Sequence, residues 1–201
     1  MKLKFMLLVL LALLTLGIHA LLHDRYRIFY EDDVWSPSHT HTWVTTGTAV
    51  DRVFHTPERN VRWTFGRTYD FVYGGLTQLF GWSRSALHLI AKLLVLLGAF
   101  CWFRSARGLG YGRELAWALF FGLLLLEPIV STANISRKDA LAFCLVAVQF
   151  LLMVKGRYLE GALAAGIAFE THPLGSLTLF LSAALLWTRR RELFPQGMWK
   201  K

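Results

Sequence analysis

Charged residues are scarce in this chain of 201 amino acids. Asp, Glu, Lys and Arg together make up 17% of it, whereas hydrophobic residues make up 55%. Because a soluble globular domain carries about 25% charged residues, the composition excludes an ordinary soluble globule. The scarcity of charge predicts an integral membrane protein.

Cysteine is almost absent as well. The two cysteines, Cys101 and Cys144, both lie within apolar runs. A secreted disulfide framework and a structural zinc site each need more cysteines than this. We therefore expect both cysteines to be buried packing residues.

Acidic residues are fewer than basic ones, 13 against 22. Such an excess is typical of proteins that bind nucleic acids. In this chain, however, the basic residues stand mostly at the ends of apolar runs. The pattern therefore predicts a membrane partner and no nucleic acid.

Long apolar runs are what the sequence has in abundance. Four of them fit transmembrane helices, namely residues 5–22, 85–103, 115–132 and 140–154. The fourth is short for a bilayer, so we expect it to extend back toward Ala133. A fifth run, residues 158–188, is too long for one span. Pro173 and Gly175 near its middle predict a hairpin of two helical arms that meet at His172 and Pro173.

The first run follows two lysines, Lys2 and Lys4, and fits either a membrane anchor or a cleaved signal peptide. The anchor is favoured, because the run is long and Ile18-His19-Ala20 is a poor cleavage site.

The distribution of basic residues predicts the topology. With the N-terminus inside, the predicted cytoplasmic segments carry twelve Lys and Arg, whereas the exported loop, residues 23–84, carries seven basic and seven acidic residues. The predicted fold is thus an all-α integral membrane protein. It has about four transmembrane helices, a C-terminal helical hairpin, and interfacial helices in the first exported loop. Residues 1–201 form a single transmembrane domain.

The exported loop contains the densest acidic cluster of the protein, Glu31, Asp32 and Asp33. Neighbouring carboxylates raise one another's pKa, so the cluster could supply a general base, a metal ligand or both. The alternative is an acidic, solvated start of the loop.

Other candidate residues lie at the ends of the predicted spans or within them. Arg137, Lys138 and Asp139 open the fourth span on the outer side, where a basic pair suits a phosphate group, although a snorkelling interfacial residue is the alternative. Lys92 lies within the second span and either binds a ligand or pairs with Glu127. His172 stands at the hairpin tip. The tip either lines a functional cavity or is a capped tight turn, and both interpretations stay open.

The order of these features resembles the N-terminal membrane module of the GT-C glycosyltransferases, in the branch that includes protein O-mannosyltransferases and the bacterial aminoarabinose transferase acting on lipid A. The resemblance rests on the acidic motif of the first exported loop, on YDFVYGGLTQLFG at residues 69–81, on RKDAL at residues 137–141, and on LAAGIAFETHP at residues 163–173.

The resemblance implies an enzyme of the bacterial inner (plasma) membrane, with the N-terminus in the cytoplasm. It would move a sugar from a polyprenyl-phosphate donor to a lipid, glycan or protein acceptor on the outer face. Asp32 or Asp33, with Glu31 beside them, would be the catalytic base.

Arg137, Lys138, Asp139, Lys92 and His172 are the expected substrate-binding residues. No cofactor or metal site is required, although a divalent metal is compatible with the chemistry. His39 and His41 alone are weak evidence for one.

Members of this family are usually much longer. The chain therefore fits a truncated gene product, a fragment, or a short homologue that has lost catalysis. In the last case it would be a non-catalytic membrane protein that binds a lipid head group or a partner subunit. A transporter is a third alternative, weakened by the absence of a second half that resembles the first.

Overall fold

The described part of the protein is built from helices. The computed structural model describes residues 2–25, 31–47 and 67–188, and this part contains no strand. The prediction of an all-α fold is confirmed. The helices are α1 (Lys2–Arg25), α2 (Glu31–Thr46), α3 (Arg67–Phe80), α4 (Arg84–Gly108), α5 (Arg113–Leu125), α6 (Glu127–Ala133), α7 (Lys138–Val154), α8 (Tyr158–Thr171), a 3₁₀ turn (Pro173–Ser176) and α9 (Leu177–Thr188).

Helices α4 and α7 form the centre of the bundle and run parallel to each other. Glycines on α4 permit the close approach: a Cβ added at Gly98 would lie 2.6 Å from the ring of Phe143, and one at Gly108 would lie 2.6 Å from Val154. Small residues of this kind let helix backbones pack closely. Cys101 and Cys144 are buried free thiols, as predicted.

The predicted third span, residues 115–132, is not one helix. It divides into α5 and α6, which are bent by 64° relative to each other. The cause is Pro128, which has no N–H to donate to the carbonyl of Leu124. The imidazole Nε2 of His19 on α1 donates to that carbonyl oxygen instead, at 2.9 Å. The break is therefore stabilised by a contact between α1 and α5.

Helix α7 begins at Lys138, so it extends back from Ala140 by two residues and stops short of Ala133. A turn of four residues, 134–137, separates α6 from α7. The side-chain amide of Asn134 donates to the carbonyl of Val130 at 2.7 Å, and the carbonyl of Ser136 accepts the phenol of Tyr69 at 2.8 Å. These bonds satisfy backbone groups that a continuous helix would use for itself.

The last apolar run forms two arms, as predicted, and Pro173 lies at their junction. Gly175 permits the tight turn, because an added Cβ would lie 2.2 Å from the backbone of Ala168. At the other end of the arms, Leu185 packs with Met153 and Val154 at the end of α7. The arms therefore form a hairpin whose two ends lie at the same end of the bundle.

The bundle has two chemically different ends. At the basic end, α4 and α7 finish while α5 and α8 begin. At the polar end, α7 begins, α8 finishes and α3 packs across them. All three candidates of the RKDAL motif and the hairpin tip lie at the polar end.

Helix length and composition test the predicted spans. Among the described residues, α4 is the helix that is long and apolar enough to cross a bilayer by itself, and α5 with α6 reaches that threshold only as a bent pair. The apolar helices at residues 6–19 and 173–188 are shorter. The other predicted spans stay predictions.

Candidate functional site

Six ionisable residues meet at the polar end, and we call them the polar cluster. They come from three helices that are distant in the sequence: the first turn of α3, the start of α7 and the end of α8. The members are Asp70, Arg137, Lys138, Asp139, Glu170 and His172.

Asp139 connects α7 to the hairpin tip. Its Oδ2 forms an ion pair with Arg137 Nε at 3.0 Å, and its Oδ1 lies 3.5 Å from His172 Nε2. The other imidazole nitrogen, Nδ1, accepts the backbone N–H of Leu174 at 3.1 Å. Because an accepting Nδ1 carries no proton, the hydrogen of a neutral His172 is on Nε2, facing Asp139. The turn and the arginine are thereby held in one orientation.

Glu170 caps the N-terminus of α3. Its Oε1 accepts the backbone N–H of Arg67 at 2.7 Å, and its Oε2 accepts the N–H and the hydroxyl of Thr68 at 3.1 and 2.5 Å. A carboxylate is well placed there, since the first turn of a helix has unsatisfied N–H groups and the positive end of the helix dipole. Glu170 therefore joins α3 to the hairpin tip.

Asp70 lies at the end of the first turn of α3, where it faces α2 and α7. Its Oδ1 accepts the hydroxyl hydrogen of Thr40 on α2 at 2.7 Å. Burial raises the pKa of Asp70, and the neighbouring Glu170 acts in the same direction, whereas the hydrogen bond from Thr40 and the charge of Lys138 oppose the rise.

Lys138 stands in the first turn of α7, close to both Asp70 and Glu170. Its ammonium group is partly buried, and the charges of the two carboxylates act on it. A half-buried lysine between two carboxylates is an anion-binding group that is already desolvated. An anionic ligand would compete with those carboxylates for it.

A tyrosine pair fixes α3 against the cluster. Tyr69 and Tyr73 are fully buried and stacked with their ring centroids 4.1 Å apart. They pack with Leu87, Ile90 and Leu141 from α4 and α7. Together with the bond from Tyr69 to the carbonyl of Ser136, this packing sets the position of Asp70 relative to Lys138.

An apolar groove of about 530 Å³ runs between the two arms of the hairpin. It extends from Phe169, next to the capping Glu170, to Tyr158 at the opposite end of α8. Ser182 in its wall accepts a hydrogen bond from the fully buried Gln149 at 2.6 Å. The groove is lined by residues of the two arms and of the end of α7, and its Phe169 end is next in the sequence to Glu170.

Four of the residues predicted from the sequence come together in this cluster: Arg137, Lys138, Asp139 and His172. Lys92 lies on α4, which contributes no member of the polar cluster. Its suggested partner Glu127 is exposed in the first turn of α6, and within the described residues no ion pair joins the two.

The predicted base cluster lies in the first turn of α2. Glu31 is the first residue of that helix, and Asp32 and Asp33 follow it. The side chains of these three residues lie outside the described part, so their role stays a prediction.

Metal ligands were also considered in the sequence. His39 is buried, whereas His41 is exposed and packs edge-on against Trp82 with ring centroids 4.9 Å apart. Within residues 2–25, 31–47 and 67–188, no group of three or more His, Cys, Asp or Glu could hold a metal ion.

Asp70 and Glu170 are the two cluster members that were not among the predicted substrate-binding residues. A signal for Asp70 was present: it is a lone carboxylate between two tyrosines in the YDFVYGG motif, on a helix with one apolar face. Its partners Thr40 and Lys138 lie on other helices, however, and residue spacing cannot predict such contacts.

Comparisons with the models of known protein families, with curated proteins and with solved structures find no match for this chain.

Proposed function

We propose that this protein is a membrane glycosyltransferase of the GT-C type, which transfers a sugar from a polyprenyl-phosphate donor to an acceptor at the outer face of a bacterial inner membrane. The observation that carries the proposal is the polar cluster, in which Arg137 and Lys138 stand beside three carboxylates at one end of a helical bundle. A phosphate group and a transferred proton need this combination of groups.

The proposed topology has the polar end outside and the basic end inside. The ends of α4 and α7 and the starts of α5 and α8 carry the exposed basic residues, as the positive-inside rule requires of cytoplasmic loops. These residues are Arg104, Arg107, Arg113, Lys155 and Arg157. In this orientation α1, α4, the α5–α6 pair and α7 cross the membrane, and the α8–α9 hairpin enters it from the inside.

The proposed roles follow from the chemistry of an inverting displacement. Arg137 and Lys138 hold the phosphate that leaves the sugar, while Asp139 and His172 orient Arg137 and the hairpin tip. Asp32 or Asp33 is the proposed base, and Lys92 a further contact to the donor. The apolar groove beside Phe169 is the proposed site of the isoprenoid chain, because its lining is almost entirely apolar.

Binding of a polyprenyl phosphate to the purified full chain in nanodiscs tests the proposal. Farnesyl phosphate should displace a fluorescent polyprenyl phosphate, whereas farnesol, which has the same chain without the phosphate, should not. Equal displacement by the two compounds would contradict a phosphate site. Transfer is then measured with a polyprenyl-phosphate sugar and a soluble acceptor.

The second candidate is a non-catalytic membrane protein that binds a phosphate-bearing lipid head group. Every carboxylate of the polar cluster is paired with a neighbour, and this favours the second candidate, because a network with a purely structural role would show the same pairing. The two functions differ in one readout. Both predict that farnesyl phosphate binds, but only the glycosyltransferase releases polyprenyl phosphate from the sugar donor in the presence of an acceptor.

A further inference from the structure

The three carboxylates of the polar cluster are used differently. Both oxygens of Glu170 accept hydrogen bonds from α3, and the two oxygens of Asp139 face Arg137 and the imidazole of His172. Asp70 accepts one hydrogen bond from the described residues, the one from Thr40. Asp70 is therefore the carboxylate with remaining capacity to accept a proton.

We infer that Asp70 takes the proton of the acceptor hydroxyl, and that Lys138 couples this step to donor binding. The inference rests on the proposed function and names one of its catalytic residues. Asp70 is thus an alternative to Asp32 and Asp33 as the catalytic base, and the contacts of its side chain are described.

The step balances as follows. The acceptor oxygen forms a bond to the anomeric carbon, and the bond from that carbon to the phosphate oxygen breaks. Its electron pair stays on the polyprenyl phosphate, which gains one negative charge and is stabilised by Lys138. The hydroxyl proton passes to Asp70 and is later lost to water.

Lys138 gives the coupling its physical basis. Without a ligand, its charge acts on Asp70 and Glu170 together. A donor phosphate that binds Lys138 draws this charge away from Asp70 and adds a negative charge nearby, so that Asp70 binds a proton more readily. The proton affinity of Asp70 therefore increases when the donor is present. The ionised fraction of Asp70 is the base, and the fraction that becomes protonated should be measurable as the uptake of less than one proton per donor bound.

The surroundings of Asp70 contain few other groups that could produce the same effect. Thr40 from α2 is not ionisable, Lys138 comes from α7 and Glu170 from α8. Helix α4 also packs against α3 but contributes no ionisable group that acts on Asp70 within the described part. The phosphate titrates as well, so the comparison must be between variants and not between pH values alone.

The experiment uses the full chain in nanodiscs and compares wild type with Asp70→Asn, Asp70→Glu and the matched control Glu160→Gln. Glu160 lies at the basic end, in a local pair with Arg157. Farnesyl phosphate is titrated calorimetrically in two buffers with different ionisation enthalpies, which gives the protons taken up per ligand bound. Transfer and the midpoint of thermal unfolding are measured on the same samples.

We expect Asp70→Asn to bind farnesyl phosphate at least as tightly as wild type, to take up fewer protons, and to lose transfer about a hundredfold. Asp70→Glu should recover part of the transfer, and Glu160→Gln should behave as wild type in every readout. If wild type binds farnesyl phosphate but does not transfer, the proposed function is contradicted, and the inference with it.

Three results would overturn the inference. Unchanged transfer or unchanged proton uptake in Asp70→Asn would show that another group is the base. Loss of farnesyl phosphate binding together with transfer would make Asp70 a structural residue. Absence of farnesyl phosphate binding in wild type would instead contradict the proposed function itself, and the inference with it.

Discussion

The two ends of the bundle use charged residues in different ways. At the basic end the contacts are local: Arg157 pairs with Glu160 three positions away, and Arg107 donates to the carbonyl of Tyr111 four positions away. At the polar end Glu170 binds backbone groups more than a hundred positions away in the sequence. Charges at the basic end are solvated, whereas those at the polar end hold the helices together. The same residue types therefore make local contacts at one end and contacts between distant helices at the other.

The largest difference between the ends should appear in phosphate binding. We expect the double change Arg137→Gln with Lys138→Gln to weaken farnesyl phosphate binding about a thousandfold, because two charge-assisted contacts are lost from a partly desolvated site. The matched change Lys155→Gln with Arg157→Gln removes the same charges from the basic end and should alter the Kd less than about threefold. Competition binding in nanodiscs measures both. Equal effects of the two changes would mean that the charges act only through the general field of the protein.

The second prediction concerns the hairpin that brings His172 and Glu170 to the polar end. In Gly175→Ala the new methyl group would lie 2.2 Å from the backbone of Ala168, which cannot move aside without opening the turn. We expect a loss of about 3 kcal/mol in the free energy of unfolding, the upper range for overpacking.

Gly166→Ala is the control for this change, because Gly166 lies on the same arm with open space at its Cβ position. The midpoint of thermal unfolding in detergent compares the two variants. A Gly175→Ala protein as stable as Gly166→Ala would contradict the tight turn and the position of the tip.

The third prediction tests whether Glu170 is structural. Glu170→Gln keeps the size of the side chain but removes the charge that faces the N-terminus of α3, and we expect a cost of about 1–2 kcal/mol. Glu160→Gln, at the basic end, removes a charge from an exposed pair and should leave the thermal midpoint unchanged. If both variants melt like wild type, Glu170 does not hold α3 to the hairpin tip.

The sequence predicts the helices better than their boundaries. The break at Pro173 was predicted, because the run of residues 158–188 exceeds one span and contains proline and glycine. Pro128 also breaks a helix, with a bend of 64°, yet residues 115–132 have the length of one span, and this length favours a single helix. Helix α7 starts late for a similar reason: Asn134 and Ser136 satisfy their bonds with Val130 and Tyr69, contacts that hydropathy does not contain.

The sequence predicts only part of the polar cluster, because only some of its members carry a local signal. Arg137, Lys138 and Asp139 are adjacent in the sequence, and His172 marks a turn, so each carries a local signal. Asp70 depends on Thr40 and Lys138, which reach it only after α2, α3 and α7 have packed. Contacts of this kind follow from the tertiary fold and are not encoded in spacing.

The smallest expected effect is a pH dependence that the basic end should lack. Burial raises the pKa of Asp70 above the unfolded value of 3.8, so the folded protein binds more protons than the unfolded chain between those two pKa values. Stability is therefore highest below the unfolded pKa and falls as pH rises through the folded one.

Asp70→Asn removes this penalty while its amide oxygen still accepts the hydrogen bond from Thr40. At neutral pH the variant should be more stable by about 1 kcal/mol or less, a difference that disappears toward about pH 4. Thermal midpoints of wild type, Asp70→Asn and Glu160→Gln over this range measure the effect. An Asp70→Asn protein that is less stable than wild type at neutral pH would show that the attraction between Lys138 and Asp70 exceeds the cost of burying the Asp70 charge. The two ends would then differ in the geometry of their charged residues, but at neither end would a buried charge lower the stability of the folded protein.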